Sequence, residues 1–60
     1  MRKKFKNFII EKRGNSHFYD VLIDGVFYCS VNSEADARGV VWDLSGRGEY
    51  LTDEMMEVIP

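Results

Sequence analysis

The sequence predicts an α+β domain, an antiparallel sheet of three to four strands with one helix across a single face, in the order β-β-β-α-β. Three observations carry this. Residues 21–30, VLIDGVFYCS, are two strand-like runs around Asp24-Gly25, the residue pair that best fits a two-residue hairpin turn. Residues 34–45, EADARGVVWDLS, carry apolar side chains at helical spacing between a capping serine and a glycine stop. With 60 residues, 45% hydrophobic and 30% charged, the composition is globular and the length allows one small domain.

Each element follows from local chemistry. Residues 1–4 read as a flexible basic arm. FKNFIIEK, residues 5–12, reads as a first strand because it is rich in β-branched and aromatic side chains. RGNS follows as a turn, with Gly14 and Asn15 tolerant of positive φ. HFYDVLI and VFYCSV are then the second and third strands. Asn32 or Ser33 caps the helix, with Asp36 three residues after Ser33 in an approximate capping box and Glu34 and Asp36 at the positive end of the dipole. Gly46 supplies the left-handed stop. GRGEYLTDE is a loop. TDEMMEVI has two readings, a short helix capped by Thr52 or a strand over 55–59; the β-branched end before Pro60 favours the strand.

The hairpin presents two apolar faces. A regular ladder from the turn pairs Ile23 with Val26, Leu22 with Phe27, Val21 with Tyr28, Asp20 with Cys29, Tyr19 with Ser30 and Phe18 with Val31. Phe18, Leu22, Phe27, Cys29 and Val31 then share one face, and Tyr19, Val21, Ile23, Val26 and Tyr28 the other. The helix stripe Ala37, Val40, Val41 and Leu44 covers only one of them. It is expected over the face without tyrosines, since a tyrosine keeps its hydroxyl solvated at a half-wet site. Tyr19, Val21, Ile23, Val26 and Tyr28 would form an open patch, the usual mark of an interaction site. The alternative is a third layer supplied by the arm or by residues 46–54.

Trp42 lies about 150° around the helix from that stripe at about 100° per residue, near Ala35, Arg38 and Gly39. Tryptophan and arginine beside small residues have the composition of a binding hot spot. Packing of Tyr50 or Leu51 on the indole is the competing reading.

Charge is unevenly distributed. Residues 1–13 hold Arg2, Lys3, Lys4, Lys6, Lys12 and Arg13 against Glu11 alone, while the rest holds two arginines against nine acids. The basic segment, interleaved with Phe5 and Phe8, is a candidate nucleic-acid contact, or a lysine-guarded sheet edge. The acids Glu34, Asp36, Asp43, Glu49, Asp53, Glu54 and Glu57 offer a surface complementary to a basic protein groove.

Catalysis finds no support. His17 stands alone, the carboxylates Asp53 and Glu54 lie in a loop, and GRG at 46–48 lacks the strand–loop–lysine context of a phosphate loop. One cysteine, Cys29, allows no internal disulfide and, with one histidine, no zinc site. The expectation is a non-enzymatic chain without cofactor or metal. It has no signal-peptide core or membrane span, which suits the cytoplasm.

In layout, residues 16–59, with an acidic helix bearing a tryptophan, resemble small phage-made inhibitors that bind bacterial RNA polymerase or DNA-repair and defence enzymes. HFYDVLIDGVFYCSVNSEADARGVVWDL is also similar in layout to the later part of a double-stranded-RNA-binding domain. It departs where that family has a lysine-rich helix start, since SEADA would face phosphates with acids. The first resemblance implies a protein-binding regulator or inhibitor that occludes its partner. The open hairpin face and the helix surface around Trp42 supply the candidate contacts, Tyr19, Val21, Ile23, Val26, Tyr28, Arg38 and Trp42, and a homodimer is a second expectation. The competing function is nucleic-acid binding through Arg2, Lys3, Lys4, Lys6, Lys12 and Arg13.

Overall fold

The computed structural model describes residues 2–46 and 51–60. Along the chain run β1 (Arg2–Phe5), β2 (Phe8–Lys12), β3 (Tyr19–Ile23), β4 (Val26–Val31), α1 (Glu34–Ser45), a 3-10 turn (Asp53–Met55) and β5 (Glu57–Ile59). The strands form one sheet in the order β4-β3-β2-β1-β5, with every neighbouring pair antiparallel. The α+β class is the expected one, and the described residues hold one strand more than the three to four anticipated.

The additional strand arises in FKNF. Phe5 faces Phe8 across a two-residue turn at Lys6-Asn7, with Lys6 at φ +54°. That is a region where a residue with a Cβ sits uneasily. The turn is tied to the next hairpin: the Asp24 backbone N–H donates to the Asn7 carbonyl at 2.9 Å, and Asn7 Nδ2 donates to Asp24 Oδ1 at 3.1 Å. Arg2–Phe5, expected in part as a flexible arm, is therefore an inner strand between β2 and β5. The Asp24-Gly25 turn is as expected, with φ of +55° and +79° at its two residues, the pattern that a type I′ turn requires.

The hairpin ladder departs from the regular pairing two residues after the turn. Ile23 faces Val26 and Leu22 faces Phe27, but Val21 faces Cys29, Asp20 faces Ser30 and Tyr19 faces Val31. Tyr28 is left without an opposite residue, so a β-bulge reverses the parity of β4 beyond it. Tyr19, Val21 and Ile23 consequently share a face with Cys29 and Val31. That face is the core, correcting the expectation that Tyr19, Val21 and Ile23 lie on the open side. Val21 is fully buried, and Tyr19 and Ile23 pack against the core.

The core combines Phe5, Phe8, Ile10 and Val21 from the sheet, Ala37 and Val41 from α1, and Leu51 and Met56 from the closing segment. Val40 packs at its margin, whereas Leu44, expected in the buried stripe, is 44% exposed. Leu51 and Met56 lie in the same core cluster as the helix residues, so the closing segment shares the inner layer. Among the described residues nothing packs on the sheet's other face.

The helix ends where its caps dictate. Ser33 Oγ accepts the Asp36 N–H at 3.1 Å, and Gly46 adopts φ +68°. Both anticipated forms of the closing segment occur in sequence, the 3-10 turn at Asp53–Met55 and the strand at Glu57–Ile59. Thr52 precedes the turn without a side-chain cap bond. Gly39 sits inside α1 with nothing within 4 Å of the position a Cβ would take. Gly39→Ala is therefore expected to raise stability by up to about 1 kcal/mol; a urea denaturation curve with an unchanged or lower midpoint would contradict this.

Candidate protein-binding surface

The strand registers arrange the uncovered sheet face in rows. One row runs Ile59, Arg2, Glu11, Asp20, Ser30, and the next runs Glu57, Lys4, Ile9, Leu22, Phe27. The first row is neutralised by its own pairs: Arg2 Nε lies 3.3 Å from Glu11 Oε2, and Arg13 donates to Asp20 at 2.8 Å. The second row ends in an apolar strip, with Ile9 and Leu22 half-buried and Phe27 55% exposed. Tyr28 beside it is 52% exposed, while Val26, opposite Ile23 on the helix side of the sheet, is 67% exposed at the hairpin end. A run of large apolar side chains left in water is the informative departure on this surface.

Of the contacts expected on the open hairpin face, Val26 and Tyr28 are at the surface, while Tyr19, Val21 and Ile23 are not. Ile9, Leu22 and Phe27 take their place. A signal for this was present: the regular ladder puts Asp20 on the covered face, where an unpaired carboxylate is costly. Because the helix covers the face of Tyr19, Val21 and Ile23, Asp20 lies on the outer face, opposite Ser30 and beside Arg13.

β4 is also an edge strand, and its six residues, VFYCSV, include neither charge nor proline. The other edge, β5, has three residues, begins with Glu57 and is followed by Pro60. Cys29 is a half-buried free thiol on β4.

On the helix, Ala35, Asp36, Gly39, Val40, Trp42 and Asp43 line a shallow open groove of about 480 Å³. Trp42 is half-buried there. Tyr50, one of the two residues expected against the indole, lies outside the described residues. Arg38, expected beside Trp42, instead faces the closing segment. Its guanidinium donates to Glu34 Oε2 at 2.6 Å, to the Leu51 carbonyl at 3.4 Å and to Asp53 Oδ1. Lys3 Nζ completes the group, 2.9 Å from Glu34 Oε2 and 3.8 Å from Asp53 Oδ1. The hydrogen bond from Lys3, with that from Arg38, holds the Glu34 carboxyl below its ordinary value against the opposing effect of burial. Arg38 depresses Asp53 in the same way, and Asp53 raises Arg38 in return. Arg38 is thus committed inside the fold, which corrects its assignment to a docking surface.

The six basic candidates do not form one stripe. Arg2, Lys3 and Arg13 are paired with Glu11, Glu34 and Asp20. Lys4 lies on the outer face. Lys6 sits at the turn, its ammonium 5.5 Å from the Phe5 ring centroid. Lys12 lines a pocket of about 290 Å³ with Lys3, Ile10, Tyr19 and Glu34. Among the described residues no helix is long and apolar enough to cross a membrane.

Comparison with protein-family models, with curated proteins and with solved structures yields no match.

Proposed function

We propose that this chain is a small, non-enzymatic protein-binding regulator of the cytoplasm that inhibits a partner by occluding it. The observation that carries the reading is the strip Ile9, Leu22 and Phe27 with its exposed neighbour Tyr28. Phe27 and Tyr28 are the anchors: large aromatic groups that enter a partner's groove gain the most from desolvation. The acid-rich remainder of the chain would steer it toward a basic surface, such as that of a nucleic-acid-handling enzyme. The free thiol of Cys29 suits a reducing compartment.

The competing reading, direct nucleic-acid binding, is weakened by the three basic candidates already held by carboxylates and by the spread of the others over both faces and a turn. Phosphate contact would also give a steep loss of affinity with added salt.

Phe27→Glu tests the proposal. Phe27 is mostly exposed, so circular dichroism should match the parent. A nuclease-resistant protein captured from host lysate by the parent should bind the variant about thirtyfold less tightly, the scale of a 2 kcal/mol hot spot. Capture abolished by nuclease, or equal affinity for both chains, overturns the reading.

A further inference from the structure

We propose that β4 pairs antiparallel with β4 of a second copy of this chain, joining two five-stranded sheets across a two-fold axis. The contact uses the strand edge and not the outer face, so it stands independently of the occlusion reading.

An edge strand presents unpaired backbone N–H and C=O groups, and folded proteins guard such edges with charge, proline or brevity. β5 is guarded by all three of these: it is three residues long, opens on Glu57 and is followed by Pro60. β4 is twice as long and has neither charge nor proline along Val26–Val31. The contrast within one sheet singles out β4 as the edge left available for pairing.

A second copy is the occupant this edge fits best. In a two-fold antiparallel contact each strand meets its own sequence reversed, so a charge near the axis would sit beside its duplicate. VFYCSV contains none. For the same reason the edge carries no charged group with which to select a foreign strand. The chain's net charge of −2 opposes pairing of two copies only weakly. A chain of 60 residues also belongs to the size range in which oligomerisation commonly supplements a small core.

An antiparallel edge-to-edge contact has its two-fold axis perpendicular to the sheet, so both helices lie on the same side. The two Ile9–Leu22–Phe27 strips meet on the other side as one platform.

The test is nuclear magnetic resonance on a mixture of isotope-labelled and unlabelled chains, beside sedimentation equilibrium across a concentration series. The proposal expects a mass that rises toward twice that of the chain and inter-copy Hα–Hα contacts between the two β4 strands. Ser30 is exposed on β4, so Ser30→Lys should keep the fold while weakening the dimer about tenfold, because a lysine on an edge strand opposes edge-to-edge pairing. A chain that remains monomeric throughout the series, or a dimer without inter-copy contacts between the β4 strands, overturns it. A monomer that still loses its protein partner on Phe27→Glu would refute the dimer and leave the occlusion reading standing. A β4-paired dimer that captures no protein would do the reverse.

Discussion

Val21→Lys is expected to leave the chain unfolded at 25 °C. Val21 has no solvent exposure, lies between Ile10 and Cys29 in its row of the sheet, and belongs to the core cluster with Ala37 and Val41. An ammonium placed there has no carboxylate to pair with, and an uncompensated buried charge costs about 3–5 kcal/mol after relaxation. A core of this size rarely supplies more than about 3–5 kcal/mol in total. The two quantities are comparable, so the folded population should collapse. Leu22→Lys is the control. Leu22 is adjacent in sequence but half-buried on the outer face, where a lysine stem lies along apolar surface and its ammonium stays in water. It should retain a dispersed amide spectrum and a cooperative melt. A folded Val21→Lys beside an unfolded Leu22→Lys would mean that the helix covers the other face of β3.

That pair of variants also marks the boundary of what the sequence makes legible. Asp24-Gly25, Ser33 and Gly46 are readable because each acts through its own backbone conformation or a hydrogen bond three residues away, and the hairpin and helix lie where those residues put them. The Lys6-Asn7 turn is not readable in the same way. A lysine at positive φ is intrinsically unfavourable, and it is held through Asn7 and Asp24, which are seventeen positions apart. The bulge at Tyr28 is not local either. It is favoured because it brings Cys29 and Val31 under the helix together with Tyr19, Val21 and Ile23, a gain that appears only when strand, partner strand and helix are considered together. An error of one position in a ladder moves every later side chain to the opposite face. For that reason the existence of an apolar outer surface was legible from the hairpin, while the identities of Ile9, Leu22 and Phe27 were not. Arg38 follows the same rule: its spacing from Glu34 is visible in the sequence, but its bond to Asp53 depends on how the closing segment returns.

Arg38→Met should destabilise the fold by about 1–2 kcal/mol at neutral pH, lowering the melting temperature by roughly 4–8 °C for each kcal/mol in a domain of this size. Methionine keeps much of the aliphatic stem but removes the donors to Glu34, Asp53 and the Leu51 carbonyl. The figure rests on the partly buried Arg38–Glu34 bonds, reduced for their access to solvent. The pH dependence gives the sharper test. Both carboxylates are depressed in the folded state, so the stability they contribute is fully present above their ordinary values, 4.5 for Glu34 and 3.8 for Asp53. It is lost as pH falls below those values toward the depressed ones, because the unfolded chain then takes up protons more readily. Removing Arg38 relaxes both depressions while leaving Lys3 on Glu34. The variant should therefore lose less stability between neutral pH and pH 3, and the gap between the two chains should narrow as acid is added. Added salt at neutral pH should narrow it as well. Hydrogen exchange should speed most at Met56 and along β5, the parts of the closing segment that the Arg38 contacts help to hold. Denaturation curves that remain equally far apart from pH 7 to pH 3 would show that Arg38 acts by packing alone and that the four charged side chains do not work as a group.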